Sequence, residues 1–133
     1  MSSNRNQNIL EHIISYCNDI SHTLVRIHYN FQEFETDKDF KNSISMSLMQ
    51  IGELSTHLSE DFKLSTKHEI PWGLIKGMRN HYAHGYAFMD NKEIFETAVN
   101  DIPELKLKCQ QIIQEKQKEQ NIKTDKTKKG FTI

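Results

Sequence analysis

Residues 9–31 read ILEHIISYCNDISHTLVRIHYNF, and Ile9, Ile13, Tyr16, Ile20, Leu24, Ile27 and Phe31 each follow the last by three or four positions. That spacing lays one apolar stripe along an α-helix. A first long helix is therefore expected, capped by Ser2, Ser3 or Asn4 and left near Gln32–Glu35. His12, His22 and His28 lack any partner spacing and are expected at the surface or rim.

The same periodicity continues downstream. Thr36 or Asp37, with Asp39 close behind, approximates a capping box for a second, antiparallel helix through Phe40, Ile44, Leu48, Ile51, Leu54 and Leu58. Met46 and Met49 are expected to widen its apolar face as core filler, and Gly52 would let a neighbouring helix approach closely. Residues 59–70 lose the pattern and predict a connection with at most a short helical turn. Pro71 at a first helical position, followed by Trp72, Ile75, Met78 and Tyr82, predicts a third helix over 71–84 that Gly85 terminates. Asp90 and Glu93 form a second capping box ahead of Ile94, Phe95, Ala98, Val99 and Ile102. Pro103 should push Ile102 out of the helical region and kink or restart the chain before Leu105, Leu107, Cys109, Ile112 and Ile113.

With 133 residues, two prolines and five glycines, the chain suits one domain and is too sparsely punctuated for a sandwich or barrel. An all-α fold is expected over residues 1–115, followed by a disordered basic tail, 116–133, with six lysines from Lys116 to Lys129. No basic start precedes an apolar block and no apolar run approaches the roughly 18 residues of a membrane span, so a cytoplasmic protein without membrane contact is expected. Cys17 and Cys109 lack CxxC spacing and fit as buried, reduced thiols. Seventeen Lys and Arg against 18 Asp and Glu leave a net charge of −1, so any RNA contact must rest on a local patch. The lysine tail could add nonspecific RNA affinity that falls with salt.

The densest chemistry lies in Gly77-Met78-Arg79-Asn80-His81-Tyr82-Ala83-His84-Gly85-Tyr86. Arg79 and His84 suit phosphodiester cleavage without a metal or other cofactor: the histidine moves a proton and the guanidinium neutralises charge on the phosphorane oxygens. Their spacing constrains the site. At about 100° per residue, positions five apart point about 140° away from each other, so either the helix ends at His84 or the pair closes across two chains of a two-fold dimer. Asn80 could orient the phosphate or the histidine, or be an ordinary polar helix residue. His81 and His84 form an HxxH, but with no third ligand assured no metal is assigned.

Arg79-Asn80, three residues, then His84-Gly85-Tyr86 resembles the R-(X4)-H-X-Y motif of the HEPN superfamily, and more narrowly the HepT toxins of the DUF86 group. The likeness extends to Leu48-Met49-Gln50-Ile51-Gly52-Glu53, Glu69-Ile70-Pro71-Trp72, Ile75-Lys76-Gly77-Met78 and residues 96–106, within a span of roughly Ile9 to Ile113. It implies an up-and-down bundle of four to five helices that dimerises through the motif helix, with ribonuclease activity from Arg79 and His84. It further implies the toxin of a type VII-like toxin–antitoxin pair, whose MntA-like nucleotidyltransferase antitoxin adds AMP to Tyr86. His81 and the lysine tail stand outside the likeness. The competing expectation is a non-catalytic helical module that docks a nucleotidyltransferase or nucleotide.

Overall fold

A computed structural model describes the backbone of residues 2–84 and 90–131 and the side chains of 4–82 and 90–123. Among the described residues every regular element is helical: α1 (Ser2–Arg26), α2 (Phe31–Thr36), α3 (Lys38–Ser55), α4 (Glu60–Thr66), α5 (Trp72–His84), α6 (Asn91–Glu96), a π-helical turn (Thr97–Asp101) and α7 (Ile102–Phe131). The long helices α1, α3, α5 and α7 make the bundle. The short ones turn corners.

Polar contacts at the helix ends set the directions. Asn6 near the start of α1 exchanges two hydrogen bonds with Ser59, beyond the end of α3, at 3.1 and 3.0 Å. At the other end, the Arg26 guanidinium lies 5.6 Å from the centre of the Phe40 ring. The two helices are therefore antiparallel, as the spacing predicts. Helix α5 then sets out from the α4 corner, where the Trp72 indole donates to Thr66 Oγ1 at 2.8 Å and Phe62 packs at 6.2 Å. It runs back along α3, and α7 packs on α1. One cluster of buried side chains, from Ile9 to Ile112, fills the space between them.

The first helix is shorter than its stripe predicts. His28 and Tyr29 take φ of 55° and 52°, left-handed conformations that end a helix, and Asn30 then caps α2 by accepting from Glu33 N at 3.1 Å. Phe31 still reaches the interior, stacked on Phe95 at 5.5 Å and edge-on to Phe34 at 6.3 Å, which explains why it continued the stripe. The cap signal was present as Asn30-Phe31-Gln32-Glu33. Asp37 and Asp90 cap α3 and α6 as expected, accepting from Asp39 N and Lys92 N. The connection after Ser59 holds two turns of helix rather than one, because Ser59 caps it and Phe62 anchors it.

Pro103 does not displace Ile102, which keeps φ −68° and ψ −44°. The reason lies just upstream. In the wide π turn Ile102 N–H bonds Thr97 O, and Pro103 falls in the first turn of the following α-helix, where a missing donor has least consequence. Met46 and Leu107 are exposed rather than buried, and Ile112 is the last buried residue of those described. Helical backbone nevertheless continues to Phe131.

Cys17 and Cys109 are fully buried, and burial pushes both thiols up to about 12. For Cys17 the Lys106 charge opposes burial in part. Unfolded thiols, ordinary near 9, ionise first as pH rises. Stability should accordingly be undiminished below pH 9 and fall between pH 9 and 12, by at most about 1.4 kcal/mol per pH unit per thiol. Urea midpoints measured across that window, with Cys17→Ala/Cys109→Ala as control, check it.

Candidate active site

Helix α5 meets α3 at Gly52. A Cβ placed there would lie 2.6 Å from Arg79 N, 2.9 Å from Ile75 O and 3.1 Å from Arg79 Cα. Only a residue without a side chain lets the backbones approach this closely, so Gly52 fixes where α5 sits at Arg79. The neighbouring Glu53 then reaches across. Its Oε2 accepts from Arg79 Nε at 2.5 Å, while Oε1 lies 3.4 Å from Nε2 of His57, in the turn that follows α3. With 51% of the Arg79 side chain and 39% of the Glu53 side chain exposed, this pair is worth no more than about 1 kcal/mol to folding. Its consequence is positional.

The next residues of the motif separate by depth. Asn80 and His81 are exposed, and Tyr82 is buried. Tyr82 is a core residue beside Thr97 at the start of the π turn. Burial is the main cause of its raised pKa, with Glu93 and Asp101 adding to it and Thr97 opposing. His81 stands edge-on to the Tyr82 ring at 5.7 Å. The helix is unbroken from Arg79 to its last residue, His84, so about 7.5 Å of rise and about 140° of rotation separate the two positions. The His84 side chain, and all of Gly85 and Tyr86, lie outside the described residues, and so does the expected terminator role of Gly85.

Beside Leu74, Met78 and His81 runs an open groove of about 870 Å³, bounded across from α5 by Glu93, Glu96, Asp101, Glu104 and Lys108, the last two paired at 3.1 Å. Four carboxylates against one lysine leave this lining net negative. Among the described residues, no three His, Cys, Asp or Glu side chains gather to hold a metal ion, and no helix is long and apolar enough to cross a membrane.

Sequence reasoning passed over Glu53 and His57 as site residues. Glu53 stood within the quoted Leu48–Glu53 stretch, beside the glycine marked for close approach, but nothing local in sequence tells which side chain it meets 26 positions on.

A helical bundle that sets an arginine and a histidine five residues apart at the end of one helix is an all-α domain of the HEPN type. The chain belongs to the HepT-like ribonuclease family, whose model matches residues 13–112. It is 33% identical over 106 residues to a protein bearing an RNase name from Caldanaerobacter subterraneus subsp. tengcongensis, covering 79% of this chain and 91% of that one. It is 34% identical over 82 residues to a protein of Thermococcus cleftensis named for ribonuclease HepT, covering 62% and 74%. A further relative with an RNase name, from Methanocaldococcus jannaschii, is 32% identical over 103 residues, covering 77% and 86%. No solved structure matches the chain.

Proposed function

We propose that the chain is a metal-independent RNA endonuclease and the toxin of a type VII-like toxin–antitoxin pair. The observation that carries this reading is an exposed Arg79, held on a rigid helix crossing, five residues before His84 in a chain of the HepT-like ribonuclease family. His84 accepts the proton of a ribose 2′-hydroxyl as its oxygen attacks the adjacent phosphorus. The P–O5′ bond breaks, the leaving oxygen takes up a proton, and the products are a 2′,3′-cyclic phosphate and a 5′-hydroxyl. Arg79 meets the charge that grows on the non-bridging oxygens, and Asn80 and His81 support the site. A two-fold dimer through α5 supplies each phosphate with an arginine and a histidine from different chains, which answers the 140° divergence.

RNA incubated with the protein in EDTA should be cut to cyclic-phosphate ends, while the same sequence with 2′-deoxyribose throughout should remain whole. Intact RNA after this treatment would sink the proposal. If a stable complex with a nucleotidyltransferase forms all the same, the docking-module alternative is the better account.

Tyr86 is the proposed AMPylation site for an MntA-like nucleotidyltransferase antitoxin. Tyr86 follows His84 by two residues in sequence, and an added bulky, anionic AMP group beside a site for RNA would block and repel the substrate. Coexpression should raise the intact mass by one or more AMP units and abolish cleavage, and Tyr86→Phe should show neither effect. An increment that persists in Tyr86→Phe places the modification elsewhere.

A further inference from the structure

We infer that Glu53 is a positioning residue for Arg79, an inference that rests on the ribonuclease reading of the site. A guanidinium carries one N–H on Nε and four on its two terminal nitrogens. Glu53 Oε2 takes the Nε–H at 2.5 Å, which fixes the plane of the group and leaves terminal donors to face a phosphate. Without that contact Arg79 is a long, half-exposed side chain free to rotate about its stem.

The carboxylate is itself well supported. It extends from α3 at the residue after Gly52, where the two backbones are in contact, and His57 lies against its other oxygen at 3.4 Å. The order His57, Glu53, Arg79 thus runs from the turn after α3, through the last turn of α3, to α5. Preorganised donors act on a developing charge because they need not be gathered when it forms, and loss of about 1 Å of alignment lowers rates about 100-fold. The same carboxylate subtracts positive charge from the surface an RNA approaches. Its removal should therefore slow the chemical step while leaving substrate binding unchanged or tighter.

Steady-state cleavage of a mixed-sequence single-stranded RNA by the wild-type protein and by Glu53→Ala, Glu53→Gln and Glu53→Asp tests this, with the Arg79 Nε–H resonance followed by NMR. Glu53→Ala should lower kcat about 10- to 100-fold with KM equal or reduced, and its Nε–H signal should lose protection from exchange. Glu53→Gln keeps an acceptor oxygen at the same reach and should recover most of kcat; Glu53→Asp, one methylene short, should not. Unchanged or raised kcat in Glu53→Ala, or a kcat loss that Glu53→Gln fails to relieve, overturns the role of Glu53. Failure of the wild-type protein to cleave overturns the ribonuclease reading instead.

Discussion

Arg79→Ala is expected to lower RNA cleavage by about 10²–10³-fold, the usual consequence of removing one fixed donor from a developing oxyanion. His84→Ala should lose about 10²–10⁴-fold, since proton transfer to and from the sugar oxygens then falls to water. The double variant should be little slower than the worse single one, because groups acting in the same step are not additive. Arg79→Lys should not rescue. An ammonium can pair with the Glu53 carboxylate or meet the phosphate, whereas a guanidinium offers separate donors to each. Single-turnover cleavage of an end-labelled RNA reads all four. Mixing Arg79→Ala with His84→Ala adds a test of the shared site. If each site takes its arginine and histidine from different chains, re-equilibrated dimers regain about a quarter of wild-type activity, because half are mixed and each mixed dimer keeps one intact site. No recovery would place both groups in one chain.

Gly52→Ala should be the most damaging single methyl in the bundle. The new Cβ meets two backbone atoms, Arg79 N at 2.6 Å and Ile75 O at 2.9 Å, and neither can rotate aside. Overpacking of this kind costs about 1–3 kcal/mol. The helix propensity of alanine returns about 0.5–1 kcal/mol. A net loss of about 1–2 kcal/mol is expected, seen as a fall in Tm of about 3–8 °C. Because α5 must move away from α3, cleavage should drop further than the unfolded fraction explains. Gly77→Ala is the internal control. Its Cβ meets nothing within 4 Å, so the same propensity gain should appear unopposed as a small rise in Tm. Equal melting of the two variants would show that the crossing at Gly52 is not tight.

Much of this architecture is legible in the order of residues. The stripes of α3 and α5, the Asp37 and Asp90 caps and the burial of Tyr82 follow from local spacing, which a helix enforces within one or two turns. What escapes is set by tertiary contact or by a rarely used backbone region. Phe31 keeps the period of α1 although the chain has already reversed through His28 and Tyr29. Leu107 falls on an apolar period but faces outward, since α7 packs through Leu105, Cys109 and Ile112. At the site, Arg79 and His84 stand out by residue type and spacing. Glu53 does not, because a lone carboxylate on a helix acquires meaning only from the guanidinium that the fold lays against it.

The net charge of −1 averages over a surface that is uneven around α5. The groove beside Leu74, Met78 and His81 carries four carboxylates against one lysine, whereas Arg79 lies toward α3. A nucleic acid diffusing toward the domain should therefore meet less repulsion on the arginine side. That arrangement governs how often an encounter is productive more than how long a complex lasts, and added salt erodes it through the association rate.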